Sequence, residues 1–391
     1  MTTDLFGPVR LGPLTLRNRV IKAATYENAA RRGEVTDRLI DFHVRHARGG
    51  VAMTTVAYCA VSPEGRTDGH QIVWRDEARA GLVRLTEAVH REGAAISAQI
   101  GHSGPVGDPR ATKMKALSPS PYFNPQAFTR TRQATRADLT RIVAQHGAAA
   151  RMAEETGFDA VEVHIGHNYL ASSFLSPKLN KRNDEYGGSL ENRARVARDS
   201  LRAVRDAVGD RIAIIAKMNM ADGVPGGFWL DEALRVATWI EQDGSVDALE
   251  MTEGSSLLNP MYLFRGDAPI AQFAQAVGEP VGTAIRLVGK RFLREYPYED
   301  LYLLEHARQV RAAVRLPLVL LGGVTSSAGV QTAVDNGFEF VAMGRALLRE
   351  PDLVATMARD SSARSLCIHC NRCMATIYGG TRCVLVEPQG R

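Results

Sequence analysis

Eight apolar, β-branched-rich runs separated by helix-like stretches constrain this chain more than any other feature of its sequence. The runs are Arg19 to Ala23, Val51 to Val56, Ala95 to Ile100, Ala160 to Val163, Ile212 to Lys217, Val246 to Glu250, Leu318 to Leu321 and Phe338 to Ala342. Amphipathic helix patterns follow them near 36–48, 76–92, 136–156, 190–208, 230–242, 299–314, 326–336 and 351–358. Near-continuous apolar strands alternating with helices indicate a parallel sheet covered on its outer face. Eight such units predict an α/β fold, a single closed (β/α)8 TIM barrel, over an open doubly wound sheet. No Gly-x-Gly-x-x-Gly follows an early strand, which argues against a dinucleotide-binding fold. VRLGPLTL, before the first strand, reads as a small hairpin. The expected division is a barrel over residues 1–360 and a short cysteine-rich extension over 361–391.

At 391 residues the chain can bury one large barrel core or two ordinary ones. A hydrophobic content of 45% with 23% charged residues suits a soluble globular protein. The net charge of +5 is spread rather than blocked, so no nucleic-acid partner is expected. No apolar run reaches the length of a membrane span, and MTTDLFGPVRLG lacks the pattern of a signal peptide. A cytoplasmic location is the expectation by default. Two connections are long enough to act as lids: 101–135, with Tyr122 and Phe123, and 252–298, with Met261, Tyr262, Phe264, Arg265 and Arg286.

In a barrel of this kind the chemistry sits where strands end. The densest stretch is FDAVEVHIGHNYLASSFLSPKLNKRNDEYGGSLENR, Phe158 to Arg193. Glu162 and His164 share one face of its strand, and His167 and Tyr169 fall just beyond. Ser189 is placed to cap the following helix, with Glu191 in its first turn. Two histidines and a tyrosine at one strand end point to a site rather than to core packing, and a metal is disfavoured because no third ligand lies nearby. Other strands end in Thr25 and Tyr26 (after Ala24), Tyr58, Gln99 and Lys217. The seventh and eighth end in Gly322-Gly323 and Gly344-Arg345, a pattern suited to cradling a phosphate with backbone N–H groups and a guanidinium.

LFGPVRLGPLTLRNRVIKAA, SPEGR, SAQIGHSG, the Phe158–Arg193 stretch and the GG…MGR pair together resemble the old yellow enzyme family of FMN-dependent oxidoreductases. The resemblance covers about residues 5–358. It implies FMN in the barrel mouth, its phosphate on Gly323, Gly344 and Arg345, with Gly322 also cofactor-binding, and Gln99 against the flavin pyrimidine. It implies that His164 and His167 hold a substrate oxygen and that Tyr169 donates a proton. NADH or NADPH would be the reductant and a small α,β-unsaturated carbonyl compound the acceptor, an ene-reductase activity. Lys217 stands where many members carry Arg, keeping the charge without the planar fork. Tyr26, beside Thr25, stands where Thr or Cys is frequent near flavin N5. Tyr58 resembles a substrate-lining tyrosine of the amine-dehydrogenase branch, so an oxidative amine or alcohol dehydrogenase is the alternative activity.

The tail LCIHCNRCMATIYGGTRC sets Cys367, Cys370, Cys373 and Cys383 at C-x2-C-x2-C-x9-C. That is closer to iron–sulfur spacing than to two zinc knuckles, and it is similar to the cluster segment of the dienoyl-CoA reductase and trimethylamine dehydrogenase branch. A [4Fe–4S] cluster, a structural zinc and free thiols all stay open. The sequence shows no second dinucleotide-binding region after this tail, so electrons are expected from NAD(P)H directly or from a separate carrier. An electron-transfer flavoprotein is the third reading, and a homo-oligomer is compatible with the sequence.

Overall fold

The computed structural model describes residues 4–124 and 128–387. Residues 125–127 of the first expected lid, and both chain ends, lie outside the described residues. The eight strands are β1 Val20–Lys22, β2 Met53–Ala60, β3 Ala95–Gly101, β4 Ala160–Ile165, β5 Ala213–Asn219, β6 Ala248–Thr252, β7 Leu318–Leu321 and β8 Phe340–Met343. All neighbours run parallel, and β8 pairs with β1 to close the barrel. The outer helices are α1 Asp37–Arg48, α2 Arg79–His90, α3 Arg136–Glu155, α4 Leu190–Val208, α5 Leu230–Asp243, α6 Leu304–Ala313, α7 Ser327–Asp335 and α8 Leu353–Arg359. No helix among the described residues is long and apolar enough to cross a membrane.

The helix starts follow from side-chain chemistry. Thr36 accepts from Leu39 N at α1, and Ser189 accepts from Asn192 N at α4. Thr135 and Asp138 form a reciprocal capping box at α3, which satisfies two N–H groups the first turn would otherwise leave bare.

Side chains alternate along each strand, so the barrel has an outward and an inward apolar set. The outward set packs on the helices and forms the largest core cluster. The inward set is apolar only at the strands' N-terminal end, where Ile21, Met53, Ala160, Ile215, Val319 and Phe340 meet Leu11 and Leu16. Those two leucines belong to the N-terminal hairpin Val9–Leu11 and Leu14–Leu16, which plugs the bottom of the barrel. Two residues further along the inner face the lining turns polar, with Glu162, Lys217 and Glu250 all fully buried.

Both long connections carry more structure than loops. Residues 252–298 hold short helices at Pro260–Phe264, Ile270–Val277 and Val281–Val288. Segment 101–135 carries a one-turn helix, Pro109–Thr112, and two small strand pairs. The expected helix 299–314 starts later, at Leu304, because residues 299–303 turn back onto the β7 loop, where Leu301 N donates to Gly323 O.

Candidate active site

Strand register assembles the lower layer of the site. Gln99 pairs with Glu162 across β3 and β4, and Lys217 pairs with both His164 and Glu250 across β4, β5 and β6. Lys217 Nζ lies 3.0 Å from Glu162 Oε1 and 2.7 Å from Glu250 Oε1, while Gln99 Nε2 donates to Glu162 Oε1 at 2.5 Å. Burial opposes a charge on Lys217, but the two carboxylates outweigh it and hold the ammonium above its ordinary value. Burial, reinforced by Glu162 and opposed by Lys217, pushes the Glu250 carboxyl up to about 8. At neutral pH Lys217 is therefore charged, and the raised Glu250 shares the buried layer with it. Lys217, expected as a cation facing the cofactor, has its charge balanced from within the barrel.

Above it lie the histidines and the tyrosine of the β4 end. β4 ends at Ile165, and the chain then turns through His167 (φ +58°) and Asn168 (φ +58°), two consecutive left-handed residues that need outside support. The next unit supplies it. Asn219, at the end of β5, accepts from His167 N at 3.0 Å, and Asp222 accepts from both Asn168 Nδ2 and Asn219 Nδ2 at 3.1 Å. Tyr169 then leads into a short helix, Leu170–Leu175.

This turn brings the expected groups together. The His164 ring centroid lies 5.0 Å from that of His167 and 4.6 Å from that of Tyr169, and Tyr58 stands 5.3 Å from Tyr169. Ala24 and Tyr169 pack against one small cluster with Ala57 and Tyr58, so the ends of β1, β2 and β4 converge. His167 Nε2 shares a 2.9 Å hydrogen bond with Thr252 Oγ1 on β6. His164 Nδ1 and Tyr26 Oη are buried without a hydrogen-bond partner. Burial and then neighbouring positive charge hold His164 well below its ordinary value and His167 at about 3, so both rings are neutral. Burial pushes the Tyr58 and Tyr169 hydroxyls up, so both keep their protons.

The glycine loops form the third part. Gly322 and Gly323 have φ of +96° and +80°, which strongly favours glycine. A Cβ on Gly323 would fall 2.6 Å from Leu301 N, and one on Gly322 would meet Leu303 at the same distance. Gly344 precedes the short helix Arg345–Arg349, and Thr25 lies beside it. Arg345 Nη1 donates to Arg265 O at 2.8 Å and to Asn371 Oδ1, leaving further guanidinium N–H groups available.

These features fit FMN. Orphaned polar atoms at His164 and Tyr26 call for a partner, the β7 and β8 loops offer backbone and a guanidinium to a phosphate, and the polar inner layer suits a heteroaromatic edge. The four tail cysteines are free thiols lining a single cavity with Arg345 and Asn371. Among the described residues, no three His, Cys, Asp or Glu side chains are gathered so as to hold a metal ion.

Sequence reasoning missed several participants. Glu250, Thr252, Asn219 and Asp222 all matter, and the period-2 placement of the first three in otherwise apolar strands was their available signal. A buried Lys22–Glu27 pair at 2.8 Å, which also binds Thr25 Oγ1, was missed as well.

Residues 4–256 match the model of the NADH:flavin oxidoreductase / NADH oxidase family. The chain is 52% identical to the 4,4'-dithiodibutanoate disulfide reductase of Rhodococcus erythropolis, over 98% of this chain and 95% of that protein. It is 32% identical to the NADH oxidase of Thermoanaerobacter brockii over 94% of this chain, and spans 53% of that longer relative. A solved 2-naphthoyl-CoA reductase complex superposes with a TM-score of 0.83 at 24% identity, covering 98% of this chain and 57% of the other. That last likeness speaks to fold alone.

Proposed function

The chain belongs to the NADH:flavin oxidoreductase / NADH oxidase family, a flavin-dependent NAD(P)H oxidoreductase as the old yellow enzyme resemblance implied, and on that premise we propose that it reduces activated C=C bonds of small unsaturated carbonyl compounds. The chemistry FMN supplies when bound is hydride transfer between NAD(P)H and an organic acceptor. The observation that carries the reading is the convergence of two neutral histidines and a protonated tyrosine at the end of β4.

His164 and His167 donate hydrogen bonds to the acceptor's carbonyl oxygen, where negative charge grows as the β-carbon accepts hydride. A preorganised donor of this kind is worth about 3–4 kcal/mol of barrier. Tyr169 Oη holds the proton that the α-carbon takes up. Tyr58, packed edge-on against Tyr169, fixes that ring and narrows the mouth. Gly323, Gly344 and Arg345 would hold the phosphate, with Gly322, Ala24, Thr25, Tyr26, Gln99 and Lys217 lining the rest of the cofactor's bed. Residues 1–360 would form this unit and 361–391 an appended segment. The four thiols around one cavity, spaced C-x2-C-x2-C-x9-C, support a [4Fe–4S] cluster there over a single zinc. Iron analysis of anaerobically purified protein tests this, with about four irons per chain expected.

A second reading has its own support. The relative sharing 52% identity is named for reduction of a dicarboxylate disulfide. The same donors would serve it: hydride attacks one sulfur, the S–S bond breaks, and Tyr169 or solvent protonates the departing thiolate. Reoxidation of the NADPH-reduced enzyme separates the two. Rapid reoxidation by cyclohexenone supports C=C reduction. Reoxidation by 4,4'-dithiodibutanoate alone replaces that reading with disulfide reduction.

A further inference from the structure

Cys367 and Cys373 bound a short segment that reaches both phosphate loops. Asn371 is buried, with φ +54°, and its side chain bonds three residues in two parts of the molecule. Its amide nitrogen donates to Arg265 O at 3.1 Å and Asp267 O at 3.0 Å in the second lid, and its oxygen accepts from Arg345 Nη1. Two residues earlier, the His369 ring stacks on Tyr298, with centroids 3.3 Å apart and planes 10° from parallel. Tyr298 Oη, which donates to Asp300 Oδ1 at 2.9 Å, also lies within 3.3 Å of Gly323 O. His369 O accepts from Asp267 N, which ties the same segment to the lid.

We propose that Asn371 and His369 are positioning residues for the cofactor phosphate, latching the cysteine segment to Arg345 on one side and Gly323 on the other. FMN affinity and the order of residues 367–373 then rise and fall together. The coupling is reciprocal, because whatever steadies one side of a shared contact steadies the other. The inference rests on the reading that the FMN phosphate sits on Gly323, Gly344 and Arg345. A plain structural staple would instead support the fold without favouring a phosphate-bearing ligand.

Riboflavin, which lacks the phosphate, makes the distinction. Dissociation constants of FMN and riboflavin are measured by fluorescence quenching on the apoprotein, for wild type and Asn371→Gly. Glycine adopts the Asn371 backbone angle freely, so the substitution removes the side-chain contacts with little added strain. The expected result is an FMN dissociation constant raised about tenfold and a riboflavin constant unchanged. Equal weakening of both ligands, or no weakening of FMN, overturns the latch. Equal affinity of the wild type for both ligands overturns the phosphate assignment itself. Hydrogen exchange on the wild type decides the matter even if the variant does not fold. FMN should slow exchange across 367–373 more than riboflavin does, and equal slowing by the two ligands overturns the latch.

Discussion

Lys217 carries more of the fold than its expected role beside the cofactor suggested. It stands between Glu162 and Glu250 with no solvent to relieve either carboxyl, so removing it strands buried acid. Lys217→Met should destabilise the protein by about 3–5 kcal/mol in urea unfolding. Restoring most of that by adding Glu162→Gln together with Glu250→Gln would attribute the loss to the stranded acids. One level higher, Tyr169→Phe should slow acceptor reduction while leaving reduction by NAD(P)H intact in stopped-flow half-reactions. Equal loss in both would remove Tyr169 from the donor role. Because His167 titrates near 3 and His164 is also held well down, the acceptor half-reaction should show no histidine-like inflection between pH 5 and 8. An inflection near pH 6.5 in a stopped-flow pH series would mean that a histidine works in its charged form. The histidines and the tyrosine were legible in the sequence because they crowd one strand end. Their protonation states were not, since burial is set by residues far along the chain.

At the level of elements, strand and helix positions could be read because each unit is locally consistent. α4 occupies 190–208 and β7 occupies 318–321, as the patterns predicted. The helical content of 252–298 escaped notice, since short helices lacking a long periodic face leave little pattern. The lack of space beside Gly323 yields a prediction at this scale. Gly323→Ala places a methyl against the backbone of Leu301, so it should weaken FMN binding and shift the 299–303 turn. Unchanged FMN affinity by titration would contradict the cradle. At α3, Thr135→Ala removes one half of the capping box and should cost about 1 kcal/mol in denaturant unfolding.

Across the whole molecule, buried histidines dominate the response to acid. His43, His46, His102, His146, His164 and His167 are all held below their ordinary value, chiefly by burial. Below about pH 6.5 the unfolded chain protonates these rings while the folded chain does not, so stability falls as pH falls. Each contributes about 1.4 kcal/mol per pH unit within its window. Raised acids such as Glu27, Asp222 and Glu250, and the raised rings of His90 and His306, act in the opposite sense, while the depressed carboxyls Asp138 and Asp243 add to the loss only below about pH 4. Urea midpoints should therefore drop steadily from pH 6.5 to 4.5, and a flat profile would contradict the burial of these rings.

The support that Asn219 and Asp222 give to the His167–Asn168 turn reaches past this one site. The fourth βα unit cannot shape its own His167–Asn168 turn, because the atoms that hold it arrive with the fifth. Units of this barrel are therefore not freely interchangeable cassettes. A recombinant that joins two relatives between residues 170 and 218 inherits the histidines from one parent and their scaffold from the other. Only parents that agree at both places would pass the loop on whole.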